Sequence, residues 1–347
     1  MNVAYLIVGQ GIAGSLLAYE LHKSGKRVFI LNEEKENTSS NKAAGIYNPI
    51  TGRKMVKTWM ADELFELLEP YYTSLEKELS ARFLYPKPIY RPFYNYEEQN
   101  DWSAKVNETG YASFIQDFHT KSQGVEGVID PVGGLMLKNS GFVHIPEMIK
   151  SIRNYFMDLG LYHSEVFSFD KLKMTGTSLT YGELTAEKVI FCEGPDVVKN
   201  PFWSELPFRL VKGEILKIDA DLSEDTILNR GVFVLPKDGH FHVGSTYDHK
   251  TLDFEPSDEG IRQLQDRLTK LFDSSYTLVG STAGVRPATY DRRPFLGFHP
   301  DNEQIGIFNG FGTKGVSLVP YFARHFVNYL NGASALSEDV DVKRCNK

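Results

Sequence analysis

The run Val3-Ala4-Tyr5-Leu6-Ile7-Val8-Gly9-Gln10-Gly11-Ile12-Ala13-Gly14 decides the fold. Val3 to Val8 is continuously apolar and rich in β-branched and aromatic side chains, as a buried strand requires. Glycines then interrupt the run, and Ile12, Leu16, Leu17 and Leu21 recur at helical spacing. Gly25 stands where a helix C-terminal glycine belongs, and Val28 to Leu31 supply a second apolar strand. The pattern predicts a βαβ unit with parallel strands. Within it, Gly9 permits a tight turn, Gly11 lets a diphosphate approach the backbone, and Gly14 allows the helix to pack closely on the strand. Ile12 and Ala13 open the helix, whose N-terminus carries partial positive charge. This stretch is therefore expected to bind a dinucleotide. A ribose-binding carboxylate belongs at the end of the second strand, where Asn32 stands with Glu33 next to it. Either could bond a ribose hydroxyl, the amide more weakly because it lacks charge assistance.

Further along, apolar positions at helical spacing predict helices over Thr58 to Leu79, Ile145 to Leu159 and Asp258 to Phe272. Phe83 to Trp102, dense in Tyr, Phe and Pro, reads as irregular or edge-strand structure. Lys188 to Cys192 reads as a short buried strand returning to the first sheet. Phe208 to Ala220 and Gly231 to Tyr247 alternate around turn residues such as Asp238-Gly239, which predicts an antiparallel sheet. A strand around Ile305 to Phe308, a glycine-rich loop and a helix to about Leu330 close the pattern, and no internal repeat occurs. Segments of two domains alternate along the chain. Residues 1–80, 141–200 and 284–347 are assigned to a nucleotide-binding domain, and 81–140 and 201–283 to a substrate domain.

The 347 residues are 41% hydrophobic and 24% charged, a globular composition that excludes a disordered or collagenous chain. Lys and Arg number 38 against 45 Asp and Glu, so the net charge of −7 provides no overall field attractive to nucleic acid or anionic membrane. Two cysteines, Cys192 and Cys345, make no disulfide framework. With no basic leader and no apolar stretch long enough to span a bilayer, a cytoplasmic location is expected.

Three further segments resemble the D-amino-acid oxidase and glycine oxidase family of FAD-dependent oxidoreductases. Ser39-Ser40-Asn41-Lys42-Ala43-Ala44-Gly45-Ile46 is similar to the family's small-residue loop along the flavin. Glu165-Val166-Phe167 resembles its adenine-contacting strand, and Val189 to Glu193-Gly194 the strand that ends beside the cofactor. Gly284-Val285-Arg286-Pro287 through Pro294 and Gly297, with Gly310-Phe311-Gly312-Thr313-Lys314-Gly315, is similar to the C-terminal signature, and Lys212-Gly213-Glu214 to the turn that begins the substrate-side sheet. The resemblance implies an α/β fold: a Rossmann-like FAD-binding domain with a parallel sheet, interleaved with an α+β substrate domain built on an antiparallel sheet. It also implies FAD, held non-covalently, since no cysteine lies in sequence near Arg286 or the Gly310 loop.

By the same resemblance, Arg286 is the clamp for a substrate carboxylate, which a guanidinium fork can bind through both oxygens. The competing reading pairs Arg286 structurally with Asp291 or Asp248. Gly312 to Val316, with Lys314, would aim backbone amides and a charge at the pyrimidine edge of the flavin. Thr313 stands where several relatives carry a second arginine, which counts against simple glycine or sarcosine specificity. Tyr47, Tyr247 and the Tyr90 to Tyr96 cluster are candidates for the pocket wall. His240 and His242 share a strand face near Asp248 and His249, but without a third ligand at fixed spacing no metal site is assigned.

These readings imply hydride transfer from a small amino acid or secondary amine to flavin, with oxygen or another molecule as electron acceptor. Ser39 to Pro49 also looks like the FAD half of the bifunctional enzyme that trims a carboxymethylaminomethyl group on wobble uridine in tRNA. There Arg286 would hold the carboxymethyl group and Arg53, Lys54 and Lys57 would touch phosphate. The net charge and the missing methyltransferase half speak against nucleic acid. A protein that binds flavin or dinucleotide without turnover is the third possibility.

Overall fold

The computed structural model describes residues 1–52 and 54–346. The chain opens with β1 (Asn2–Val8), α1 (Ile12–Lys23) and β2 (Val28–Asn32), followed by α2 (Ala61–Leu79). It then crosses into β3 (Ile89–Pro92), α3 (Tyr96–Lys105), β4 (Ile115–His119) and β5 (Gly134–Leu137). α4 (Ile145–Asp158), β6 (Tyr162–Ser164), β7 (Leu172–Thr175), β8 (Ser178–Tyr181) and β9 (Leu184–Phe191) come next. After them run β10 (Val211–Ala220), β11 (Ile227–Arg230), β12 (Val232–Lys237), β13 (His240–Gly244), α5 (Asp258–Leu268) and β14 (Tyr276–Arg286). β15 (Phe295–His299), β16 (Asn302–Asn309) and α6 (Gly315–Leu330) complete the fold.

Five strands, in the order β6-β2-β1-β9-β16, run parallel, with β7-β8 and β15 added antiparallel at the margin. β1 is central and apolar on both faces. Tyr5 and Ile7 pack in a cluster with residues of α1, α2, α4 and α6, while Leu6 and Val8 pack on the opposite side with Val189, Phe191 and Trp203. The second large sheet has the order β14-β10-β13-β12-β11-β3-β5-β4 and is antiparallel except for the β11–β3 pair. α5 covers one face of it, where Leu264 and Leu268 meet Leu216, Ile218 and Val243. The other face is turned to the parallel sheet. The chain passes between the sheets several times, so the α/β architecture with a parallel and an antiparallel sheet is present as expected.

The structure corrects several local readings. Tyr96–Lys105 is helical because Asn95 caps it, its Oδ1 accepting from Glu98 N at 2.9 Å, and Trp102 is buried against Tyr111. β3 is an interior strand. Pro92 is tolerated there because β11 pairs only as far as Tyr90, leaving the residue without a donor outside that ladder. Ser39–Lys42 is a single helical turn capped by Thr38, not loop. Strand β6 ends at Ser164, so Glu165 to Phe167 lies beyond its end rather than within it. Likewise, β10 begins only at Val211 and β13 stops at Gly244.

Candidate functional site

The tips of β1, β2 and β9 meet the N-terminus of α1 at one end of a cavity of about 2390 Å³. Gly9 there has φ +95°, and a Cβ would lie 2.7 Å from Cys192 O. A Cβ at Gly14 would sit 1.9 Å from Gly9 O and 3.1 Å from Cys192 Cβ, so the close strand-to-helix approach admits only glycine. Gly11 faces Ser40, whose Oγ accepts from Ile12 N at 3.1 Å and would be 2.9 Å from a Cβ at residue 11. α3, α4 and α5 are each capped by a side chain of the preceding residue; α1, α2 and α6 are not, and of these α1, whose first amide is held by Ser40 Oγ, and α6 open on the cavity. Uncapped amides beside glycine backbone are what an anion needs.

Asn32 and Glu33 both line this end. Asn32 Oδ1 already accepts from Gln10 N at 2.8 Å, and its Nδ2 reaches Tyr162 Oη at 3.4 Å. Among the described residues, the Glu33 carboxylate is ion-paired only to Lys35, at 2.6 Å. Val166 is 61% exposed on the cavity lip, where an apolar side chain can cover a flat ring. Glu193 lies deeper. Burial raises its carboxyl to about 7 although Asn200 Nδ2 donates to it at 2.7 Å. Gly194, with φ +58°, is tied to the tip of β16 by Asn309 Nδ2, which donates to its carbonyl at 2.9 Å. Lys42, Ala43, Ala44, Gly45 and Ile46 form one wall, held against β14 where Ser39 Oγ donates to Val285 O.

Beside the α1 N-terminus, Gly310 and Gly312 adopt φ +89° and +54° and turn the chain under Ala288 and Thr289 into α6. A Cβ at Gly315 would lie 3.3 Å from Ile12 Cγ2, so the N-termini of α1 and α6 come close to one another. Thr313 is exposed. Lys314 Nζ has no ion-pair or hydrogen-bond partner among the described residues, and burial pushes its ammonium down to about 8.

Arg286 ends β14 opposite Val211 of β10, and its guanidinium lies across Gly213. A Cβ at residue 213 would be 1.8 Å from Nη2, so that glycine makes the space for the fork. Nη2 donates to Ser245 Oγ at 2.8 Å and Nη1 to Thr246 O at 3.3 Å, while the Tyr247 ring lies 5.0 Å away. The structural pairing considered above does not form. Asp291 accepts from Arg293 N and Arg344 Nε, and Asp248 accepts from Lys250 N and Thr251 N. Arg286 is thus a largely buried cation with no carboxylate partner among the described residues, and desolvation lowers its pKa.

Tyr247, 64% exposed, lines the cavity beside this fork, and Tyr94 lines it further out. The other tyrosines are elsewhere. Tyr47 is buried and donates to Glu69 at 3.0 Å, Tyr90 is buried and donates to Asp130 at 2.6 Å, and Tyr96 is exposed outside the cavity. His240 pairs with Asp219 at 2.5 Å, and His242 is no surface residue but partly buried, with its pKa lowered by desolvation to about 4. Lys54 lies on the cavity wall, Lys57 pairs with Asp62 at 2.6 Å, and Arg53 lies outside the described residues. Sequence reading missed Ser245, Arg91 and Arg230, which also line the cavity. Ser245 and Arg91 belong to no motif and reach the cavity wall only through strand pairing.

The residues fit a dinucleotide: glycines that a Cβ would clash with, two helix N-termini without a cap from the preceding residue, and a volume beyond the roughly 300–1,000 Å³ of an ordinary small-ligand site. No helix among the described residues is long and apolar enough to cross a membrane.

Comparison with known proteins gives the same outline. The model of the FAD dependent oxidoreductase (DAO) family matches residues 4–329. A glycine oxidase of Pseudomonas putida is 24% identical, over 97% of this chain and 96% of its own. The crystal structure of glycine oxidase from Geobacillus kaustophilus superimposes with a TM-score of 0.80 at 21% identity, covering 96% of both chains. A tRNA 5-methylaminomethyl-2-thiouridine biosynthesis bifunctional protein of Marinobacter nauticus is 22% identical over 93% of this chain, which spans 54% of that relative.

Proposed function

The chain belongs to the DAO family of FAD-dependent oxidoreductases, and from that premise we propose that it oxidises the carbon–nitrogen bond of a carboxylate-bearing amine or amino acid. The observation that carries this reading is the Arg286 guanidinium, buried against the cavity with a backbone carbonyl and a serine hydroxyl as its only partners among the described residues. Burying a cation without a counter-charge is costly, and a substrate carboxylate removes that cost while fixing the orientation of the adjacent carbon.

FAD, when bound, supplies the hydride acceptor. Gly9, Gly11 and Gly14 with the α1 N-terminus hold its diphosphate. Glu33 takes the ribose hydroxyls, since Asn32 spends its Oδ1 on Gln10 N. Residues 43–46 would hold the flavin ring, and Val166 and Gly194 the adenine. The uncapped α6 N-terminus with Lys314 places positive charge where reduction adds negative charge. Tyr247 covers the outer side of the Arg286 fork and shields the bound carboxylate from water. The three stretches 1–80, 141–200 and 284–347 form the cofactor-binding domain, and the remainder carries the substrate.

The similarity to the tRNA-modifying relative supports a second reading in which the oxidised amine is attached to RNA and the same arginine holds its carboxymethyl group. Anaerobic addition of an amine panel to the flavin-loaded protein tests both. Bleaching by free amino acids or N-alkyl amino acids supports the first reading, and bleaching only by modified tRNA the second. Bleaching by neutral amines as fast as by amino acids overturns the carboxylate clamp.

A further inference from the structure

Across the antiparallel sheet from Arg286 there is a second buried arginine that the proposed reaction does not use. Arg91 stands on β3, where Tyr90 points to the α5 face and Arg91 therefore to the cavity face. Its side chain is only 5% exposed, yet its guanidinium forms no hydrogen bond with a described residue, and Nε is buried without a partner. The nearest carboxylate, Glu98, is 3.8 Å from Nη2 and is engaged by Tyr94 N at 2.7 Å. Arg230, on the adjacent strand β11, is also buried with Nε unpartnered, and its Nη atoms donate to the carbonyls of Phe93 and Lys270. The carboxylates that act on the two cations, Glu98 and Asp130, are already engaged, Glu98 by Tyr94 N and Asp130 by Tyr90 Oη and Gln123 N, and neither hydrogen-bonds either guanidinium. Desolvation lowers both guanidinium pKa values, the expected signature of charge awaiting a partner. Buried fork-shaped donors left open to a cavity match a carboxylate or phosphate.

Resting on the carbon–nitrogen oxidation reading, we propose that Arg91, supported by Arg230, binds a second anionic group at the far end of the substrate. β10, beneath the Arg286 fork, and β3 are four strands apart in the sheet order, roughly 19 Å at about 4.8 Å per strand. Between them Ile215, Gly244, Phe233 and Asn229 line the cavity. Two arginine side chains reaching inward shorten that gap but do not bring it down to the few bonds between the carboxylates of a compact diacid. The substrate class is therefore an elongated amine or amino acid with one carboxylate beside the oxidised carbon and a distal carboxylate or phosphate.

The test uses the flavin-loaded protein and non-oxidisable ligands, so that it does not depend on turnover. Calorimetric titration compares straight-chain dicarboxylates of increasing length with monocarboxylates of the same length, and with ω-phosphono carboxylates to distinguish the two anions. The expected result is a length at which the second anion tightens binding at least 10-fold. Arg91→Gln removes that advantage, Arg91→Lys keeps part of it, and both leave monocarboxylate binding and flavin content unchanged. Three results overturn the proposal: no advantage at any length, an advantage that survives Arg91→Gln, or an Arg91 effect on RNA alone. Should Arg91→Gln fail to fold, the wild-type length series still decides. Failure of the oxidation reading looks different, because flavin then stays oxidised with every amine whatever these ligands do.

Discussion

In the proposed reaction Arg286 is the residue on which the chemistry turns, and its environment makes its loss specific. Truncation to Ala removes charge-assisted hydrogen bonds worth about 1.5–3 kcal/mol, so kcat/KM for carboxylate-bearing amines is expected to fall about 10- to 100-fold. Neutral amines and flavin content should be unaffected. Gly213→Ala tests the same fork from below. The added Cβ would fall 1.8 Å from Nη2 and must displace the guanidinium, so this variant is expected to lose activity like Arg286→Ala while still binding flavin. Steady-state kinetics with flavin absorbance checks both. Lys314 gives a pH signature. With its pKa at about 8, the ammonium is charged below that pH and neutral above it, so its help to flavin reduction is lost as pH rises through about 8. The rate of anaerobic reduction should fall over that interval in the wild type. In Lys314→Met it should be lower and without that step.

Among the elements, the β1-turn-α1 unit is proposed to bear the cofactor, and its geometry leaves little freedom. A methyl at Gly14 would lie 1.9 Å from Gly9 O, so Gly14→Ala is expected to prise α1 from the strand tips and abolish flavin retention on gel filtration. This unit was legible because its signal is local: apolar run, glycines and helical spacing follow one another without a gap. The Asp238-Gly239 hairpin was legible for the same reason, both residues adopting positive φ as a tight turn requires. α3 was not, because its charges leave Trp102 as its only buried residue, hiding the helical period, and only the Asn95 cap marks its start. The site was legible in part. Arg286 stood in a motif, but its support by Gly213, Ser245 and Thr246 arises from pairing among β10, β13 and β14, which no short stretch encodes. Asn32 and Glu33 look equivalent in sequence. Only the hydrogen bond from Gln10 N separates them.

For the whole molecule, one cavity runs from the tips of the parallel sheet to the face of the antiparallel sheet and is lined by segments distant in sequence. Ligand filling that cavity ties the two sheets together. At a free FAD concentration 100-fold above Kd, the folded state gains ~2.7 kcal/mol, or roughly 4 °C in Tm for a chain of this size, readable by differential scanning fluorimetry. The account as a whole stands on one spectrum. The purified protein is loaded with FAD and made anaerobic, and amines matched in size with and without a carboxylate are added while flavin absorbance is followed. Bleaching by the carboxylate-bearing amine, absent or far slower with its neutral counterpart and with Arg286→Ala, is the predicted result. Protein that binds no FAD, or flavin that bleaches equally with both amines, would contradict it.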